Sequence, residues 1–200
     1  MNFPLCPRFQ AVLFDMDGTL LDTLSDMQDA VNHILLENGW PQRTLEEIRA
    51  FVGNGAAKLM ERAIPEPIAP QRFHEILASY KDWYQAHNCV KTAPYPGIPE
   101  VLAELEKMGV KTAVVSNKPD ATTKALAEKF FPGMPALGQR DGVDPKPSPA
   151  LVAQALSDLG VRPENAVYVG DSEVDVATAR NAELPLIAVS WLDFNLTSSH

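Results

Sequence analysis

Residues 11–23 read AVLFDMDGTLLDT, Ala11 to Thr23. Four apolar residues, Ala11–Phe14, predict a buried strand that runs straight into Asp15, Met16, Asp17, Gly18 and Thr19. Strand alternation puts Asp15 and Asp17 on the same side and Met16 on the other. A plainer alternative is a hairpin turn at Asp17-Gly18. A hairpin needs a second strand from Leu20 onward, and Asp22, Ser25, Asp26 and Asp29 interrupt it. The stretch therefore reads as a strand delivering two carboxylates to the rim of a crevice.

Further short apolar runs at Val110–Val115, Ala166–Val169 and Leu184–Val189 are rich in Val and Ile and do not alternate strictly. Strands covered on both faces look like this. Between them lie helical stripes, one of Val101, Leu102, Leu105 and Met108 and one of Leu151, Val152, Ala155, Leu156 and Leu159. Ser148-Pro149 reads as an N-cap and first helical position, and Gly109 and Gly160 stand where helices end. The expected fold is α/β, a Rossmann-like, doubly wound and mainly parallel sheet with right-handed crossovers. Residues 22–92 break the rhythm, with helical stripes such as Met27, Ala30, Val31, Ile34 and Leu35 and no convincing strand. They predict a helical cap inserted after the first strand, so that 1–21 and 93–200 form the core and 22–92 the cap. Pro94-Tyr95-Pro96-Gly97 marks the return.

Composition limits the partners. Of 200 residues, 17 are Lys or Arg and 26 Asp or Glu, a net charge of −9, which argues against nucleic acid and anionic membranes, since those bind a basic face. An anionic substrate then needs local cations or a metal. Only Cys6 and Cys89 are present, with no CxxC spacing, as in a reduced protein. Residues 1–10 lack the pattern of a signal peptide, and no apolar run approaches the ~20 residues of a membrane helix. The expectation is a cytoplasmic protein, monomer or dimer.

Ligands of open α/β sheets bind beyond the carboxyl ends of the strands. Asp15 and Asp17 end the first run, Ser116 and Asn117 the second and Asp171 of GDSEVD the third. Lys146 of DPKPSP lies in a loop entering a helix. Carboxylates gathered this closely repel one another unless a cation sits among them, and their hard oxygens suit Mg²⁺. That set matches phosphoryl transfer, with one carboxylate attacking phosphorus and a second moving the proton. Gly18 suits a close backbone approach, and Gly18, Thr19 and Asn117 count among the substrate contacts. Taken singly, each has another explanation. Ser172 and Asp175 have capping-box spacing, Ser116 and Asn117 suit a turn, and a lone Lys146 suits solvent. Joint placement at one sheet edge favours the site. His33, His74, His87 and His200 lack HExxH spacing, and there is no GxSxG, Walker A or GxGxxG string, so zinc, serine-hydrolase and dinucleotide chemistry drop out.

DMDGT, SNK, KPSP and GDSEVD, in this order, resemble the haloacid dehalogenase superfamily of phosphatases. The resemblance implies Asp15 as nucleophile, Asp17 as acid/base, and Mg²⁺ bound by Asp15, the Asp17 carbonyl and Asp171 with Asp175 in support. It implies Ser116 and Lys146 on the phosphoryl oxygens and a cap that excludes water, hinged at Asp22–Ser25 and Thr92–Gly97. The second Asp differs from true dehalogenases. FVGNGAAKLMERA and PYPGIPEVLAEL look like phosphoglycolate phosphatase, favouring the small phosphorylated metabolite 2-phosphoglycolate over a sugar phosphate or a phosphomutase reaction. In the cap, Gly53, Asn54 and Gly55 precede a helix and either offer N–H groups to a substrate carboxylate or only make the turn. A receiver-type phospho-acceptor is the alternative of another class, though it needs no cap. Residues 131–144 read as a Gly- and Pro-rich link where relatives carry a clearer strand. Leu196–His200 follow soon after the last apolar run, where relatives usually continue.

Overall fold

Four buried residues without a polar break make β1, Ala11–Phe14, an inner strand. The computed structural model describes residues 8–191 and sets this strand between β4 (Lys111–Pro119) and β6 (Ala166–Gly170). Outside them lie β5 (Ala136–Gln139) and β7 (Leu186–Ala188), giving the order β5-β4-β1-β6-β7. Every pairing is parallel. Alternation sorts the side chains. Val12, Phe14, Val114 and Val167 join a cluster on one face, and Leu13, Ala113, Val115 and Tyr168 one on the other. Helices α5 (Ile98–Lys107) and α6 (Asp120–Phe130) cover the first face, while α7 (Ala150–Leu159) and α8 (Glu173–Asn181) cover the second. Each fully buried Leu or Val contributes roughly 1.5–3 kcal/mol, so the fold is a three-layer, doubly wound α/β sheet.

From β1 the chain passes through β2 (Leu21–Asp22), α1 (Leu24–Glu37), α2 (Leu45–Phe51), α3 (Gly55–Ala63), α4 (Pro70–His87) and β3 (Ala93–Pro94). Thr44 and Glu47 close a capping box at the start of α2, satisfying N–H groups that helix geometry leaves without partners. The four helices share a cluster of their own, with Met27, Val31, Ile34, Ile48 and Met60 buried in it. β2 and β3 pair antiparallel, so the outgoing and returning chains lie side by side. Asp26 fastens them further. Its buried carboxylate accepts from the backbone N–H groups of Val90, Lys91 and Thr92 and from the Thr92 hydroxyl.

Several local expectations are corrected. Residues 131–144 do hold a strand, β5, on the edge beside β4. The second run continues as strand through Ser116, Asn117 and Lys118 to Pro119 instead of ending at Val115. The last run shortens to Leu186–Ala188 and is not covered on both faces, since Ile187 is 51% exposed. Val101 and Met108 face outward, so α5 packs through Ile98, Leu102 and Leu105. α7 begins at Ala150, with Pro149 in the capping position. The tail at Leu196–His200 lies outside the described residues. No helix among the described residues is long and apolar enough to cross a membrane.

Candidate active site

β1 sits where the chain reverses its direction of travel across the sheet, with β4 on one side and β6 on the other. Such a switch point opens a crevice at the carboxyl ends of the strands. Asp15 leaves β1 there, its N–H bonded to the Val169 carbonyl at 2.9 Å. The chain then turns sharply, because the N–H groups of Leu20 and Leu21 both return to the Met16 carbonyl at 3.0 Å. Met16 is buried in the core while Asp15 and Asp17 line one cavity of about 1390 Å³. No hairpin forms on β1. Gly18 makes the turn possible with φ +81°, and a Cβ there would stand 2.3 Å from Asp171 Oδ2. Only glycine lets the backbone pass this close to the second strand end.

Lys146 is buried and its ammonium stands 2.8 Å from both Asp15 Oδ1 and Asp175 Oδ1, with the Tyr168 hydroxyl at 3.1 Å. Asp175 is completely buried on the first turn of α8. Its other oxygen accepts from the Ser172 N–H and hydroxyl, so the capping box forms. The two explanations of GDSEVD thus hold together, with Asp175 serving as cap and as counter-ion of Lys146. Asp171 stands exposed at the end of β6 and accepts from Thr19 Oγ1 at 3.0 Å.

One ammonium cannot neutralise three carboxylates. Burial would raise Asp175, but Lys146 and the Ser172 bonds outweigh it and hold that carboxyl below its usual range. Burial pushes Asp15 up to about 8 against the pull of Lys146, with Asp175 and Asp17 adding repulsion. Burial, then Asp175, likewise pushes Asp171 up to about 6. Ligand oxygens of Asp15, Asp171 and Asp175 lie within 4.8 Å of one another. Hard oxygens crowded to this degree, short of positive charge, fit a small divalent cation.

A carboxyl raised in the folded state keeps a proton that the unfolded chain has released. Stability of the metal-free protein therefore falls as pH rises from the ordinary 3.8 through about 6 for Asp171 and about 8 for Asp15. Solvent screening limits the share of exposed Asp171 to about 1 kcal/mol, roughly 2–4 °C in Tm. A cation held by these groups removes the repulsion, so the rise in Tm on adding Mg²⁺ to chelated protein is larger at pH 8 than at pH 5. Equal gains in thermal melts at the two pH values would contradict this charge balance.

Ser116 is buried beside the cavity, its hydroxyl accepting from the Lys118 N–H. Asn117 does not have its side chain to offer a substrate. Its carboxamide donates to the Gly53 and Lys146 carbonyls and accepts from the Lys146 N–H, tying the helical insert and the Lys146 loop to β4. Gly53 and Gly55 line the cavity, and a Cβ on Gly55 would stand 3.2 Å from the Asn117 carbonyl. Asn54 is turned aside, its oxygen accepting from Arg62. Lys118 escaped the sequence reading. It is buried, with its ammonium 3.0 Å from Asp17 Oδ1 and 2.9 Å from the Tyr84 hydroxyl of α4. Its position two residues beyond Ser116, hence on the same side of a strand, was the available signal.

Comparison with known proteins agrees with this geometry. The profile of the haloacid dehalogenase-like hydrolases matches residues 12–189. The chain belongs to that family. The phosphoglycolate phosphatase of Pseudomonas savastanoi pv. phaseolicola is 35% identical over 194 residues, 90% of this chain and 69% of that protein. That of Caulobacter vibrioides is 34% identical over 188 residues, 90% of this chain and 78% of its own length. A solved structure from Lactobacillus delbrueckii subsp. bulgaricus, 37% identical, has a TM-score of 0.85 over 92% of this chain and 87% of that one. The hydrolase match and these relatives make the chain a haloacid dehalogenase-like phosphatase.

Proposed function

We propose that this phosphatase hydrolyses a small phosphate monoester, 2-phosphoglycolate in preference, through an aspartyl phosphate on Asp15. The observation carrying this reading is the gathering of Asp15, Asp17, Asp171 and Lys146 on one cavity. Asp15, the Asp17 carbonyl and Asp171 would hold Mg²⁺, with Asp175 behind them, and the bound ion would neutralise phosphoryl charge. A carboxylate oxygen of Asp15 forms a bond to phosphorus as the bond to the ester oxygen breaks. Asp17 gives its proton to that departing oxygen. Asp17 then takes a proton from water, whose oxygen bonds to phosphorus and releases phosphate, restoring Asp15. Ser116 and Lys146 hold the phosphoryl oxygens, and α1–α4 close over the site to keep bulk water from bypassing this order.

The names of the curated relatives support the choice of 2-phosphoglycolate. A sugar-phosphate substrate is the second reading, supported by the size of the cavity, about 1390 Å³. It is also supported by CbbY from Rhodobacter sphaeroides, solved with xylulose-1,5-bisphosphate and 26% identical at a TM-score of 0.74 over 92% of this chain and 87% of that one. A panel of 2-phosphoglycolate, sugar phosphates, nucleotides and pyrophosphate, assayed with Mg²⁺ and with chelator, decides between them. The expected outcome is Mg²⁺-dependent release with kcat/KM at least about tenfold higher for 2-phosphoglycolate, the ratio one charge-assisted contact supplies. A preferred hexose phosphate that isomerises without release would make the protein a phosphomutase. A long-lived aspartyl phosphate without turnover would make it a phospho-acceptor.

A further inference from the structure

We propose that Lys118, assisted by the Tyr84 hydroxyl, binds the second anionic group of the substrate, the carboxylate of a phosphorylated hydroxy acid. The inference rests on the phosphatase reading and names the residue that gives it selectivity. A lysine is seldom buried without partners that hold its charge. Here the side chain is 3% exposed, and among the described residues its ammonium has two polar partners, Asp17 Oδ1 at 3.0 Å and Tyr84 Oη at 2.9 Å. The Tyr84 ring adds a third contact, its centroid 4.6 Å from the ammonium.

The other buried cation of the cavity is already committed. Lys146 bridges Asp15 and Asp175 at 2.8 Å each, deep in the core where the phosphoryl group belongs. Lys118 stands at the boundary between sheet and insert, with Asp17 on its reaction side and α4 on the other. An ammonium carries three donors, two of them occupied by Asp17 and Tyr84. The third is available to an anion entering the cavity that Asp17, Lys118 and Tyr84 all line. Because Asp17 serves the leaving oxygen, an anion meeting Lys118 belongs to the part of the substrate that leaves. A short leaving group carrying a carboxylate fits this requirement, whereas a neutral one leaves the buried ammonium with nothing new to bind. Arg49 and Lys81 also line the cavity, but both are exposed on the insert and already solvated, so they discriminate less between a charged and a neutral substrate.

The test compares two substrates that differ only there, 2-phosphoglycolate and 2-hydroxyethyl phosphate, with the Mg²⁺-loaded full chain. The wild type is expected to prefer the acid. Lys118→Met should lower that preference in kcat/KM by about 10- to 100-fold, mainly through KM for the acid, as loss of a charge-assisted bond does. Lys118→Arg should restore part of the preference. Tyr84→Phe, which removes only the hydroxyl, should lower it by about threefold to tenfold. Turnover of 2-hydroxyethyl phosphate reports whether each variant is folded and competent. Equal losses on both substrates, or an unchanged preference in Lys118→Met and Tyr84→Phe, would overturn the assignment. A wild type that turns over both substrates equally would also overturn it, while one that turns over neither and releases phosphate from sugar phosphates instead would overturn the 2-phosphoglycolate reading on which it rests.

Discussion

Asp15→Asn yields a folded protein whose phosphate release is lower by about ten-thousand-fold or more, the scale on which enzymes lose rate when the attacking group itself is removed. The carboxamide has the shape of the carboxylate but no anionic oxygen to bond to phosphorus. Stability follows from the charge count. Asp15 is 8% exposed, and Lys146 keeps Asp175 as a partner at 2.8 Å after the change, so one buried cation then faces one buried anion. The melting temperature of the metal-free variant is expected to equal or exceed that of the wild type. Phosphate assays and thermal melts check both halves, and a variant retaining more than about one part in a hundred of the activity would remove Asp15 from the nucleophile's role.

Lys146→Met is expected to act on stability as well as rate. It leaves Asp15 and Asp175 enclosed without the ammonium that stands 2.8 Å from each. Removing one member of a buried ionic group costs about 3–5 kcal/mol, because the charge left behind, here chiefly Asp175, has lost its counter-ion and gains no water in its place. A second substitution separates this from a packing defect. At pH 9 the Asp15 carboxyl, raised to about 8 even beside Lys146, is under the strongest pressure to ionise, so in Lys146→Met with Asp15→Asn part of the stability lost at that pH returns, a coupling that a double-mutant cycle reads directly. If the double variant melts no higher than Lys146→Met alone, the loss is one of shape and the charge argument fails.

What could be read from the sequence divides along physical lines. β1, the Asp15–Asp17 pair and the helical stripes of α1 and α7 are local patterns, visible in a handful of adjacent residues. Lys146 was also identifiable, though by motif order; its burial depends on Asp175, which lies on another element. β5 was missed because Gly138 and Gln139 weaken its strand signal. Gly138 is there for a reason found elsewhere, since a Cβ would stand 2.5 Å from the Asp120 Cα. The polar end of β4 read as lying just past the apolar run, its residues taken singly suited to a turn, because they find buried partners far along the chain. Asn117 bonds to Gly53, and Lys118 to Tyr84. Val101 and Met108 continued an apolar stripe, but α5 packs on the sheet through Ile98, Leu102 and Leu105 and both remain on the surface.

The antiparallel contact of Leu21–Asp22 with Ala93–Pro94 also bears on inheritance. From the sheet's side, the whole helical unit occupies no more room than a tight loop. Closing a longer loop at that point costs only about 0.6 kcal/mol per doubling of its length, and the helices hold a core of their own. A transplant of another helical unit onto the same two anchor residues therefore leaves Asp15 and Lys146 where they are. Bond breaking and substrate choice can thus evolve on separate schedules, apart from the contacts that cross between sheet and insert, such as Asn117 to Gly53 and Lys118 to Tyr84. Tyr84 travels with the helices and Lys118 stays with the sheet, so each exchange of the unit changes the company in which that lysine works.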